Sequence, residues 1–341
     1  VFHLLGCHLI ESSYKIVMDR LPAFGKSIQD VVVPTFQTYA PLLQQNASTI
    51  RSVKKETFQY GPHERQQLDI YTPPTPAIIN GRKPVLMFEY GGGLVNGART
   101  LPIADELAHA NVGAFFALRF GYTVVIADYR LMSHGAKFPS GGEDIALAIQ
   151  WLCEHPIGPG TMPIDLFLMG NSAGGIHLTT FLLHQDFAEA RTRITTGSGL
   201  RLRGVVLVGV PFDFHQALPS RIETLTAYFG DHNVNGPLGL LKSARQRGAP
   251  FDFVQSGVRI LALDAELDPE DEVLDPRDRF VREWMEMTDT ASRCALAVDM
   301  MKGHNHISPP FALGTGLERE EAWGYQVAGF CDNIRKFAPR P

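Results

Sequence analysis

The sequence predicts an α/β fold built on a predominantly parallel central sheet, covered by helices on both faces. Three observations predict it. Short apolar runs rich in strand-forming residues recur along the chain, segments of helical periodicity separate them, and 45% of the 341 residues belong to the apolar class AVILMFWYC, enough for one large core.

Residues 1–56 do not begin a regular strand and helix series. Tyr14, Ile16, Val17, Leu21 and Phe24 give irregular amphipathy. Val31-Val32-Val33-Pro34 and a polar, helix-compatible stretch near Leu42–Ile50 follow. This reads as a helical N-terminal extension contributing to a cap over the site. A domain spanning 57–341 follows it.

Thr57–Gly61 and Gln67–Tyr71 read as two strands joined by a polar turn, the second stopped by Pro73-Pro74, because proline cannot donate to a sheet ladder. Val85–Tyr90 is a third strand and enters Gly91-Gly92-Gly93. Leu107–Arg119 reads as a helix, Tyr122–Arg130 as a buried strand, and Glu143–His155 as a helix turning Ile145, Ile149 and Leu152 inward. Leu166–Met169 is a short strand and Ile176–Leu183 a helix. Val205–Val210 and Val258–Leu263 are further strands, and residues 212–256 between them read as a helical cap insertion. A helix at Arg277–Met287, a strand at Ala295–Val298 and a last helix at Leu317–Phe337 complete the pattern.

A formal net charge of −5 argues against a general nucleic-acid surface. No apolar run reaches the length of a membrane span, and the opening residues lack the basic and small-residue features of a secretory leader. Cys7, Cys153, Cys294 and Cys331 are scattered without metal-ligand spacing. They read as reduced, mostly buried thiols, which points to a cytoplasmic enzyme without a metal. The composition is also compatible with a homo-oligomer.

Between the Leu166–Met169 strand and its following helix lies Gly170-Asn171-Ser172-Ala173-Gly174, a G-x-S-x-G pattern. A strand running through such a turn into a helix thrusts the serine hydroxyl above the sheet, and the small neighbours let backbone segments approach closely. Ser172 is therefore the candidate nucleophile. The glycines after Tyr90 can turn backbone N–H groups toward the negative charge that develops when a carbonyl is attacked. Glycine runs also bind phosphate, but no P-loop or dinucleotide fingerprint is present. Asp268 can orient an imidazole, with Asp264 and Glu266 as local competitors. His306 is the candidate base, with His304 its neighbour.

Taken together, Tyr90-Gly91-Gly92-Gly93, Asp128-Tyr129-Arg130, Phe138-Pro139, Gly170–Gly175, Glu266–Pro269 and Gly303–His306 resemble the α/β-hydrolase carboxylesterases. The likeness is to the hormone-sensitive-lipase-like branch and its fungal esterase relatives, and covers most of residues 57–338. It implies a triad of Ser172, Asp268 and His306, and an oxyanion hole of the Gly92, Gly93 and Ala173 amides. It also implies a cap built from the N-terminal region and the insertion. The family commonly carries histidine where this chain has Tyr90.

The expected activity is hydrolysis of a small or medium, modestly hydrophobic carboxylic ester through an acyl-serine, with no cofactor. An acyltransferase using the same acyl-enzyme, or a noncatalytic small-molecule receptor, are the alternatives. Tyr90, Phe212, Phe214, Tyr228 and Phe229 are the expected substrate contacts.

Overall fold

The computed structural model describes residues 17–155, 157, 162–248 and 251–337. Cys7 and the Tyr14 and Ile16 portion of the expected extension lie outside them. Eight strands form one sheet: β1 (Lys54–Gln59), β2 (Gln67–Thr72), β3 (Lys83–Glu89), β4 (Thr123–Ala127), β5 (Ile164–Asn171), β6 (Leu200–Val208), β7 (Arg259–Ala265) and β8 (Leu296–Met301). Their spatial order is β1-β2-β4-β3-β5-β6-β7-β8. The β1–β2 and β2–β4 pairs are antiparallel, and every later pair is parallel.

The nine described helices of eight residues or more are α1 (Ile28–Gln45), α2 (Ala110–Phe120), α3 (Ser140–Glu154), α4 (Ala173–Leu183), α5 (Ala188–Thr196), α6 (Pro219–Phe229), α7 (Pro237–Gln246), α8 (Asp275–Met285) and α9 (Glu318–Phe337). None is long and apolar enough to cross a membrane.

The central strands are apolar on both sides because both sides are covered. Leu166 and Leu168 of β5 join one core cluster with Ile145 of α3 and Phe181 of α4, while Phe167 and Met169 join a second with Phe116 of α2 and Val327 of α9. Uninterrupted apolar runs are the sequence form of this two-sided burial.

Several boundaries differ from the sequence expectation. β1 begins at Lys54, so the expected extension overlaps the sheet by a few residues. α1 runs straight through Val31-Val32-Val33-Pro34 and also contains Pro41. The Pro34 carbonyl accepts from the Thr38 hydroxyl at 2.7 Å, within the same helix. α5 has no clear apolar stripe to betray it; buried Ile194 and the buried stem of Arg191 anchor it instead. The thiols are less buried than expected: Cys331 is enclosed, but Cys153 and Cys294 are exposed, because they fall on outward positions of α3 and of the turn before β8.

At the end of the sheet away from the glycine loop, Asp165 opens β5 and gathers three cations. Its Oδ1 accepts from Arg82 Nε at 2.7 Å and Arg203 Nε at 2.8 Å, and Oδ2 accepts from Arg335 Nε at 3.4 Å. All four groups are largely withdrawn from water, so removing the anion leaves like charges facing one another. Asp165→Ala is expected to lower the free energy of unfolding by about 3–5 kcal/mol, read by urea denaturation; a loss below about 1 kcal/mol would show the cluster to be solvent-screened.

Candidate active site

The chemistry-bearing residues lie just beyond the carboxyl ends of parallel strands. Gly91–Gly93 follow β3, Ser172 follows β5, Asp268 follows β7 and His306 follows β8. Side chains from distant sequence positions meet there because parallel strands end at one edge.

Ser172 turns the chain from β5 into α4 with φ 52° and ψ −118°, a conformation rarely adopted by a residue with a side chain. Its N–H donates to the Val208 carbonyl at 2.8 Å, which ties the turn to β6. The surrounding glycines are required sterically. A Cβ at Gly174 would lie 2.1 Å from the Glu89 carbonyl oxygen, and one at Gly170 would lie 2.7 Å from the Gly175 backbone.

His306 Nε2 is 3.0 Å from Ser172 Oγ, and His306 Nδ1 is 2.7 Å from Asp268 Oδ1. Since a carboxylate only accepts, Nδ1 carries the proton and Nε2 is left to accept from the serine hydroxyl. Asp268 is fully enclosed, and its other oxygen accepts from the Ala265 amide at 2.7 Å. The two competing acids point elsewhere. Asp264 is bound by Arg277 Nη1 at 2.6 Å, and burial, with Asp268 adding repulsion, pushes its carboxyl up to about 7. Glu266 accepts from the Gly303 amide at 2.8 Å, anchoring the histidine loop from outside. His304 is buried and its Nδ1 lies 2.9 Å from Ser308 Oγ, away from the serine.

Gly92 (φ 150°) and Gly93 (φ 63°) hold the loop in backbone conformations that side chains disfavour, and a Cβ on Gly92 would lie 1.9 Å from the Asn96 carbonyl oxygen. The Gly92 and Gly93 amides find no backbone acceptor among the described residues. Ala173 is the first residue of α4, where a helical N–H has no partner within the helix.

Tyr90 faces away from this surface. Its hydroxyl donates to Asp128 Oδ1 at 2.5 Å and accepts from Arg65 Nη2 at 2.8 Å. Its carbonyl accepts from the Tyr129 hydroxyl at 2.8 Å. The Arg99 amide also donates to Asp128 Oδ1, at 2.6 Å. Nothing in the sequence pattern singles out Arg65 or Arg99; only the fold brings them beneath the glycine loop.

A cavity of about 580 Å³ opens above Ser172 and His306. Ile28, Val32 and Phe36 of α1 line one part, and Phe214, Ala217 and Leu225 from the β6–β7 connection line another. Of the five expected substrate contacts, only Phe214 lines it. Tyr90 is held as described, and Phe212 stacks on Phe280 with centroids 4.3 Å apart. Tyr228 accepts from the Gly141 amide at 3.3 Å, and Phe229 packs on Phe214 at 5.3 Å. These four fill the interior and support the wall instead of forming it. Arg221, Glu272 and His109 also line the cavity, without a local sequence motif to mark them.

The strand order and the site's position define an α/β-hydrolase fold. A BD-FAE family model matches residues 68–217, a stretch that takes in the glycine loop and Ser172 but ends before Asp268 and His306. The chain is similar to the probable isoprenylcysteine alpha-carbonyl methylesterase ICMEL2 of Arabidopsis thaliana, 29% identical over 168 residues, covering 47% of this chain and 34% of that protein. Across the first three curated relatives, the chain spans 21 to 34% of their length. Among solved structures it is similar to esterase B from Lactobacillus rhamnosis, with TM-score 0.59, 16% identity and coverage of 88% of this chain and 96% of the other. Carboxyl esterase 2 of the mycorrhizal fungus Tuber melanosporum gives TM-score 0.55 and 19% identity, covering 83% and 85% of the two chains.

Three enclosed histidines give the protein a specific acid response. Burial lowers His109 to about 4 and His177 and His304 to about 3, so each is neutral in the folded state. The unfolded chain protonates them near 6.5, so their contribution is complete above that pH and is lost as pH falls toward 3–4. Buried Glu89, whose carboxyl is pushed up by burial, acts in the opposite sense. The sign is therefore read one residue at a time. Between pH 7 and 5 the parent should lose about 2 kcal/mol more unfolding free energy than His177→Phe; parallel pH dependences in urea titrations would refute the assignment.

Proposed function

We propose that the protein is a serine carboxylesterase acting on small or medium, modestly hydrophobic carboxylic esters. The observation that carries this reading is the continuous hydrogen-bonded line from Asp268 through His306 to Ser172, at the floor of a largely apolar cavity and beside the glycine-loop amides.

In this reading Ser172 Oγ attacks the ester carbonyl carbon while His306 Nε2 takes the hydroxyl proton. The carbonyl π pair moves onto oxygen, and the Gly92, Gly93 and Ala173 amides stabilise that charge. Collapse of the tetrahedral species breaks the bond to the alkoxy oxygen, to which His306 returns the proton. A water then attacks the acyl-serine, with His306 again accepting and returning one proton, and the acid leaves. Asp268 holds the imidazole tautomer and stabilises its charged form throughout. α1 and the helices between β6 and β7 form the cap that bounds the substrate. A volume of about 580 Å³ suits an ester of modest chain length.

A panel of alkyl esters tests this. Ser172→Ala should reduce kcat by at least about a thousandfold and abolish the acyl adduct seen by intact-protein mass spectrometry. Asp268→Asn should lose most activity while Asp264→Asn keeps it. Unchanged turnover in Ser172→Ala would eliminate the nucleophile assignment, and the reverse result for the two aspartates would move the acid to Asp264.

A further inference from the structure

The cavity holds a histidine that the proposed reaction does not use. His109 immediately precedes α2, is 4% exposed, and nevertheless contributes to the lining. Its Nδ1 lies 3.0 Å from the Ala98 carbonyl oxygen. A carbonyl can only accept, so Nδ1 carries the proton and Nε2 is left with a lone pair.

The ring is held firmly in that orientation. It stacks on Tyr90 with centroids 5.3 Å apart and planes 8° apart, and meets Phe88 at 5.7 Å and Phe311 at 6.1 Å. Tyr90 is itself fixed by Asp128 and Arg65. Burial keeps the imidazole neutral, so Nε2 stays an acceptor through the ordinary pH range. No described residue supplies Nε2 with a donor. The cavity lining it shares includes the apolar Phe36, Leu101, Ile103 and Phe311. An acceptor without a protein donor on the wall of a cavity is matched by a bound molecule that brings an O–H or N–H.

We propose that His109 is a specificity-determining residue whose Nε2 accepts a hydrogen bond from a hydroxyl or N–H group carried on the otherwise apolar chain of the bound ester. The inference rests on the esterase reading and names a feature of the substrate that the triad does not. It also gives Tyr90 a task. Its aromatic ring supplies the face on which His109 lies.

The test compares matched esters that differ by one hydroxyl: methyl ω-hydroxyalkanoates from hexanoate to decanoate and ω-hydroxyalkyl acetates from butyl to octyl, each against its deoxy counterpart. At one or more chain lengths the parent should prefer the hydroxylated ester by roughly tenfold in kcat/KM, and His109→Phe should bring that ratio to about one. Absence of any such preference across both series, or its persistence in His109→Phe, would overturn the proposal. A binding readout in Ser172→Ala keeps the question decidable if His109→Phe does not fold. In protein labelled with 15N-histidine, the His109 Nε2 resonance should shift on adding the hydroxylated esters and not the deoxy ones; no shift with either series refutes the contact. Failure of the parent to hydrolyse any ester would instead count against the esterase reading, and the Ser172→Ala spectra would still decide whether His109 accepts a hydroxyl.

Discussion

The site depends on one backbone contact, the approach of α4's first turn to the end of β3. With a Cβ at Gly174 the separation from the Glu89 carbonyl oxygen would be 2.1 Å, and a Cβ at Gly91 would stand 3.1 Å from Ser172 Cβ. No side chain larger than hydrogen fits the first gap. This contact brings the serine hydroxyl and the glycine-loop amides to one place, because the two backbones that carry them touch. Holding a serine at φ 52° costs on the order of 1–3 kcal/mol. The bond from the Ser172 amide to Val208 and the packed helix behind it offset that strain.

The glycine loop is held from below by polar groups that the sequence scatters. Arg65 and Arg99 come from the loops before β2 and before α2, while Asp128 follows β4. Arg65 donates to the Tyr90 hydroxyl and to the Gly97 carbonyl, while Asp128 accepts from the Tyr90 hydroxyl and from the Arg99 amide and guanidinium. A buried carboxylate of this kind is costly alone and tolerated when paired. Its value here is geometric: Asp128 links the edge of the sheet to the loop that carries the candidate oxyanion amides. Tyr90 stands behind the backbone of that loop, held by Asp128 and Arg65.

The strands and the order of the site residues were legible because two-sided burial and a steric turn leave local traces. Leu166–Met169 is an uninterrupted apolar run leading into the G-x-S-x-G turn, and both features are visible in the sequence. The cavity wall was not legible. Phe212 and Phe214 are two residues apart and chemically identical, yet one stacks on Phe280 and the other faces the cavity. Only the path of the irregular segment after β6 decides which does what. α1 was similarly obscured, since two prolines interrupt its pattern while Val32 and Phe36 still reach the cavity. His109 carries no signature at all, because its role comes from a carbonyl at Ala98 and a ring at Tyr90 that approach it only after folding.

Asp268 and His306 follow adjacent strands, whereas Ser172 follows a strand two places from β7. β7 and β8 are adjacent and parallel, and their trailing loops continue the pairing: the Glu266 amide donates to Met301 at 3.0 Å and the Leu267 amide to His304 at 2.9 Å. Asp268 and His306 are therefore set by a ladder that extends beyond the sheet, whereas Ser172 meets His306 through the separate packing of β5 on β6. The bond between Asp268 and His306 is 2.7 Å long. The contact from His306 to Ser172 is 3.0 Å. Above these three residues lies a cavity whose walls come partly from α1 and from the β6–β7 connection. The sheet sets the Asp268–His306 bond, whereas the part of the cavity wall formed by α1 and by the β6–β7 connection is built from segments outside the sheet, so the two are specified by separate parts of the sequence.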